Sequence, residues 1–238
     1  MTTKAKIAVL IPAAGSGTRS KLSYPKSLHK VKNTPIIVRI INKIKKYDLC
    51  PTIIVNKKNH IRFKETINMS RSSKVEFLFQ NKPTGMGDAV LKFKQSKFYK
   101  ETENILLIWG DIPFIKRQNI DKLIKTHIAQ SNFMTILSLY SKKPYTLIKK
   151  DKNDFVKEII ETNRNNFNFK YGERDIGIFI FKKTLLNYLN KKQSIKEHNF
   201  LYIINTLYKK KYHIKSLPIA SNKEAISLNY ISDLEDKL

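Results

Sequence analysis

With 238 residues, 41% of them apolar, the chain is long enough to bury the core of one large α/β domain. Its net charge of +27 would ordinarily suggest a nucleic-acid partner, but only seven of the 46 basic residues are arginine and no helix-turn-helix, zinc-finger or RNP pattern accompanies them, so the lysine excess reads as the drift of an A+T-rich genome. The single Cys50, placed by the pattern at a helix end, excludes a disulfide framework and a cysteine-rich metal site, and the lack of a leader-like or bilayer-length apolar run makes a cytoplasmic protein without membrane contact the expectation.

In chain order, apolar strands alternate with amphipathic helices. Strands are expected at 5–11, 52–55, 75–79 and 104–109, with helices between them at 35–47, 59–69 and 86–97. After a further helix at 118–130 the sequence becomes strand-rich, at 134–140, 146–150, 155–161 and 175–181, and these strands are expected to extend the same sheet and cover a pocket. A helix at about 197–210, a strand at 212–219 and a short helix from Ser232 complete the pattern. It is that of an α/β, Rossmann-like, mostly parallel mixed sheet flanked by helices. It implies a single domain, with an alternating part over 1–116 and a strand-rich part over 117–238.

Glycine is scarce, with seven in the chain, and its placement is informative. Gly15/Gly17 and Gly85/Gly87 form two Gly-x-Gly pairs, each starting a loop before a helix, and Gly110 precedes Asp111 directly after a strand. All three places fall at carboxyl ends of expected strands, where open α/β sheets bind ligands. One Gly-x-Gly alone would be an ordinary turn; three converging on one sheet edge point to a crevice.

The stretch from Pro12 to Lys26, PAAGSGTRSKLSYPK, supplies the chemistry at the first of these places. Small side chains at Ala13, Ala14, Gly15, Ser16, Gly17 and Thr18 leave backbone N–H groups open to an anion, and Arg19 and Lys26 can neutralise it. There is no G-x-x-x-x-G-K-[ST], and the third glycine of G-x-G-x-x-G is missing, so neither a Walker loop nor a dinucleotide fingerprint is met.

The combination A-A-G-x-G-T-R followed by P-K resembles the sugar-nucleotidyltransferase family, and most of all the uridylyltransferase (pyrophosphorylase) half of bifunctional bacterial N-acetylglucosamine-1-phosphate enzymes. The resemblance runs along nearly the whole chain in the family's order: AAGSGTR and PKSLHKV, then Gln80 with TGMGDAV, ILLIWGDIPFI, IIE, DIGIF and EAISLNYISDL. It implies transfer of a nucleotidyl group from an NTP, with UTP foremost, to a sugar 1-phosphate such as N-acetylglucosamine-1-phosphate, with release of pyrophosphate and dependence on Mg²⁺. By the same resemblance Arg19, Lys26 and Asp111 are the catalytic residues. Gln80 and Gly85 read the base, Trp109, Glu161, Asp175 and Gly177 face the acceptor, and Asp111 with Asn229 holds the metal. The family's β-helix domain has no counterpart, so acetyltransferase activity is not expected.

Each residue also has a plainer reading: Asp111 and Asn229 as caps, Glu161 as a strand-end acid, Trp109 as core volume, His29 as a structural residue. Pro12, Met86, Trp109 and Asp175 depart from the pattern of the bifunctional enzymes. Met86 and Asp175 leave base and acceptor open, including an acceptor with an ammonium group. A cytidylyltransferase acting on another phosphorylated small molecule for surface polysaccharide synthesis is the alternative, and a non-catalytic nucleotide- or polyanion-binding protein is the reading from another class.

Overall fold

A computed structural model describes residues 6–15, 22–70, 74–82, 84–162, 169–189 and 199–228. Strand β1 (Ile7–Pro12) lies between β4 (Thr52–Val55) and β6 (Asn104–Ile108), parallel to both, and β5 (Glu76–Phe79) continues the sheet beyond β4. A strand covered on both faces needs apolar residues at consecutive positions, and Val9, Leu10 and Ile11 have no exposed surface. Helices α1 (Ile36–Ile44), α2 (His60–Met69), α3 (Met86–Leu91) and α4 (Arg117–Ala129) provide the cover. On α4 the buried Ile120, Leu123, Ile124 and His127 fall at helical spacing, which makes one face of the helix a core face.

The second half completes a seven-stranded sheet of order β11-β7-β10-β6-β1-β4-β5. Strands β7 (Met134–Lys142) and β11 (Ile214–Leu217) run parallel to each other, while β10 (Tyr171–Lys182) runs antiparallel between β6 and β7. Buried side chains form one apolar cluster on each face of the sheet, and Trp109 packs against both.

Several expectations need correction. The strands expected at 146–150 and 155–161 do form, as β8 (Thr146–Lys150) and β9 (Val156–Glu161), but they pair only with each other. Both sides of β10 are taken by β6 and β7, and the outer side of β7 by β11, so neither of these two strands offers them an edge. Their Ile148 and Val156 instead pack into the cluster shared with helix α5 (Ile203–Lys209). The expected helix at 86–97 stops at Leu91 and tightens into a 3₁₀ turn, Lys92–Gln95. Cys50 lies beyond α1, which ends at Ile44, and just ahead of β4.

A small hairpin escaped the strand reading. β2 (Lys30–Val31) and β3 (Thr34–Pro35) are joined through Lys32 and Asn33, both at positive φ (48° and 63°), as a two-residue hairpin turn demands. The terminal helix from Ser232 lies outside the described residues.

Candidate active site

In the order β5-β4-β1-β6 the chain reverses direction of growth at β1 and β6, and the crevice of such a sheet opens outside their carboxyl ends. Both loops there are held close. The Ala13 N–H donates to the Ile54 carbonyl at 2.7 Å, and the Gly110 N–H to the Pro12 carbonyl at 3.1 Å. A Cβ on Gly110 would stand 2.7 Å from the Pro12 oxygen and 2.8 Å from Ser27 Oγ, so only glycine permits this approach. Asp111 is thereby set beside the loop after β1 and the 3₁₀ turn Lys26–Leu28, which brings Lys26 to the same strand ends.

Ala13 and Ala14 are buried, whereas Gly15 is exposed, with nothing among the described residues within 4 Å of where a Cβ would stand. This leaves open space over the loop. Ser16, Gly17, Thr18 and Arg19 lie outside the described residues. His29 has the Tyr24 hydroxyl 3.0 Å from its Nδ1, which accounts for it structurally.

The third place lies after β5. The buried Gln80 donates from its side-chain nitrogen to Thr84 Oγ1 and to the Gly85 carbonyl, both at 3.1 Å. Gly85 has a φ of 109° and caps α3, and Gly87 falls within that helix rather than in a loop before it. Gln80 thus shapes the turn through its nitrogen, leaving its side-chain oxygen for any partner beyond it.

The residues expected on the acceptor side lie around the point where β10 leaves β6. A bulge between Asp175 and Ile178 carries Gly177 at φ 78°, and the Gly177 carbonyl accepts the Trp109 N–H at 3.0 Å. Asp175, expected on the acceptor side, has its carboxylate engaged by the protein's own donors. It is fully buried, with one oxygen accepting from Thr146 Oγ1 at 2.6 Å and the other from the Gly177 N–H at 3.0 Å. Burial raises its pKa, opposed by those two hydrogen bonds and the Arg174 charge. Glu161 ends β9, exposed and in register with Thr146, so the ribbon brings it to the Asp175 side of the crevice.

Sequence reasoning passed over Tyr145, Thr146, Arg174 and Glu224. The Arg174 guanidinium lies 4.4 Å from the Tyr145 ring centroid. The Tyr145 phenol is pushed up to about 12, first by burial and then by the Asp175 carboxylate, with Asp111 adding to the shift and Arg174 opposing it. These four groups therefore share one neighbourhood. The available signal was compositional: in a chain that uses lysine almost everywhere, each arginine is a departure.

Glu224 is fully buried and accepts hydrogen bonds from the backbone N–H groups of Lys116 and Ser221, the Ser221 hydroxyl and the Asn119 amide. This anchors the segment whose Leu228 N–H donates to the Asp111 carbonyl at 3.0 Å. Asn229 follows Leu228 in sequence and lies outside the described residues. Among those residues no group of three or more His, Cys, Asp or Glu is placed to hold a metal. A single carboxylate with a buried Oδ1, as at Asp111, suits an ion such as Mg²⁺ that completes its shell with phosphate and water. No helix among the described residues is long and apolar enough to cross a membrane.

A strand-end crevice bordered by a small-residue loop, the Lys26–Leu28 turn and Asp111 is the kind of place where α/β proteins bind phosphate groups. Comparison with known proteins makes this specific. The family profile for MobA-like NTP transferase domains matches residues 9–159. The bifunctional protein GlmU of Buchnera aphidicola subsp. Schizaphis graminum is 32% identical over 232 residues, 95% of this chain and 49% of that protein. GlmU of Thermodesulfovibrio yellowstonii is 28% identical over 232 residues, covering 95% and 50%.

The chain belongs to the family of MobA-like NTP transferase domains and so to the nucleotidyltransferase class. It spans about half the length of the curated relatives it matches. Two solved structures share the fold. A Bacillus anthracis protein assigned as a glucose-1-phosphate thymidylyltransferase, in complex with a sucrose, has a TM-score of 0.73 at 19% identity over 90% of this chain and 87% of that one. HddC of Yersinia pseudotuberculosis, complexed with GMP-PN, has a TM-score of 0.71 at 20% identity over 96% of both chains.

Proposed function

We propose that the chain couples an NTP, UTP first, to a sugar 1-phosphate, N-acetylglucosamine-1-phosphate first, giving an NDP-sugar and pyrophosphate. The observation that carries this reading is the convergence of the loop after β1, the Gln80–Gly85 turn and the Gly110–Asp111 step on neighbouring strand ends, with Leu228 tied to Asp111. The relatives named GlmU support the choice of first substrates.

In the proposed reaction an oxygen of the acceptor phosphate attacks the α-phosphorus of the NTP in line, a new P–O bond forms, and the bond to the bridging oxygen breaks as pyrophosphate departs with the electron pair. The backbone N–H groups of the Ala14–Gly17 loop and the cations of Arg19 and Lys26 hold the triphosphate and offset its developing charge. Asp111 and Asn229 would hold a Mg²⁺, which when bound supplies further charge neutralisation at the phosphates. Gln80 and Gly85 bound the base, and Trp109, Glu161 and Gly177 line the acceptor side. Residues 1–116 form the nucleotide-binding part and 117–238 the acceptor-binding part.

Asp175 takes no direct acceptor contact in this scheme, because both carboxylate oxygens already hold the protein's own donors. With that, an ammonium-bearing acceptor loses its support.

A second reading keeps the reaction and changes the base, to CTP or another NTP, with another phosphorylated small molecule as acceptor for surface polysaccharide synthesis. It is favoured by the Gln80 side-chain nitrogen being engaged within its own turn, and by Met86 at the start of α3. Pyrophosphate release with Mg²⁺, across the NTPs and a panel of sugar phosphates and other phosphorylated small molecules, tests both readings. The expected result is release with one preferred pair. Release from none would overturn catalysis, and salt-sensitive binding of nucleic acid would then support a polyanion-binding protein instead.

A further inference from the structure

One prong of the Arg174 guanidinium, Nη1, is buried and has no hydrogen-bond partner among the described residues. Its Cζ lies over Tyr145, 4.4 Å from the ring centroid, the side chain also contacts the Tyr145 hydroxyl, and Nη2 points at the Ala225 carbonyl at 3.4 Å, a long contact. The neighbouring carboxylate does not close the fork, since the Asp175 oxygens are taken by Thr146 and the Gly177 N–H. A buried cationic donor left unmade is costly, and a planar fork held by stacking matches a phosphate or carboxylate oxygen. Arg174 also abuts the segment that runs from Ala225 to Leu228 and the Asp111 carbonyl. It therefore borders the side of the crevice where the acceptor phosphate has to approach.

We infer that Arg174 is the anion receptor of the acceptor site, with Nη1 holding an oxygen of the acceptor's phosphate monoester and Tyr145 serving as the platform that orients it. This rests on the nucleotidyl-transfer reading for the identity of the ligand, and it adds the residue that distinguishes a phosphorylated acceptor from a neutral sugar.

Trp109, the only tryptophan, sits against the Gly177 bulge and provides a binding signal independent of turnover. Fluorescence titrations of the wild type, Arg174→Met and Arg174→Lys would use N-acetylglucosamine 1-phosphate, glucose 1-phosphate, inorganic phosphate and neutral N-acetylglucosamine, with UTP as the control. The expected result is saturable binding of the phosphorylated probes to the wild type, weaker by about thirtyfold in Arg174→Met and by less in Arg174→Lys, with UTP affinity unchanged.

Equal affinity of the wild type and Arg174→Met for the phosphorylated probes overturns the inference. So does parallel loss of UTP binding, which marks a structural role, or failure of the wild type to bind any phosphorylated probe. If Arg174→Met does not fold, Arg174→Lys decides on the same criteria. Selective loss in the variant with no pyrophosphate release from any NTP would leave the receptor standing and remove the transfer reading. Pyrophosphate release with an unchanged KM for the acceptor would do the reverse.

Discussion

Gly177 and Trp109 compete for the same space: a Cβ on Gly177 would stand 2.6 Å from two indole carbons, and the two residues are joined by the hydrogen bond from the Trp109 N–H to the Gly177 carbonyl. Gly177→Ala combines that clash with the strain of φ 78°. It should destabilise the fold by about 2–4 kcal/mol, measured by urea denaturation, and shift the Trp109 emission, because the ring has to move. An unchanged spectrum would mean the bulge relaxes instead.

Two other glycines make a contrasting pair. Gly110→Ala would force apart Pro12 and Ser27 and should lower both stability and nucleotide affinity. Gly15→Ala meets nothing among the described residues, so its denaturation midpoint should be that of the wild type while the KM for the NTP rises about tenfold, the new methyl occupying space assigned to phosphate. Unchanged NTP affinity in Gly15→Ala would remove the phosphate assignment for that loop.

Asp111→Asn should cut kcat by about a thousandfold at an unchanged denaturation midpoint, and excess Mg²⁺ should not restore it. Near-wild-type turnover would sink the metal assignment.

Glu224→Ala leaves several buried donors facing an empty site and should cost about 3 kcal/mol. The segment ending at Leu228 would lose its anchor, so the Mg²⁺ concentration for half-maximal activity should rise as well. A stability loss with an unchanged metal requirement would show that the anchor and the site are independent.

His127 gives a dependence on pH. It is buried between Thr135 Oγ1 and Asn104 Oδ1, each 3.0 Å from a ring nitrogen. Burial, with the Lys182 charge adding, lowers its pKa from 6.5 to about 4. Between those values the unfolded chain binds more protons than the folded one. The His127 contribution is therefore complete above pH 6.5 and is lost as pH falls toward 4, by about 3 kcal/mol in all. Urea midpoints at pH 7, 5.5 and 4.5 should show this slope in the wild type and a flatter one in His127→Gln.

Much of the first half was legible because its signals are local. Consecutive apolar residues such as Val9 to Ile11 announce a strand covered on both faces, and a glycine-poor chain that keeps glycine at strand ends announces where the backbone must come close. The second half depends on pairing, which a strand pattern does not encode. Thr146–Lys150 reads as a strand whether it joins the main sheet or forms a separate ribbon, and the outcome was set by which edges β6, β7 and β11 had already filled. The surroundings of Asp175 were illegible for a similar reason: its carboxylate accepts from Thr146, 29 positions away, and only the folded chain shows that partner. Arg174 belongs to no motif and Glu224 only opens the segment EAISLNYISDL, and the contacts of both are made across the fold.

The separateness of β8 and β9 has a consequence for how such a protein can change. Because their ladder is closed on itself, substitutions along the ribbon break no backbone hydrogen bond of the seven-stranded sheet, and the strand ends that carry the loop after β1 and Asp111 stay where they are. A lineage can therefore retailor the wall that carries Glu161, keeping Thr146 for its bond to Asp175, while inheriting the rest of the crevice. Divergence should accumulate on the ribbon sooner than on β1 or β6.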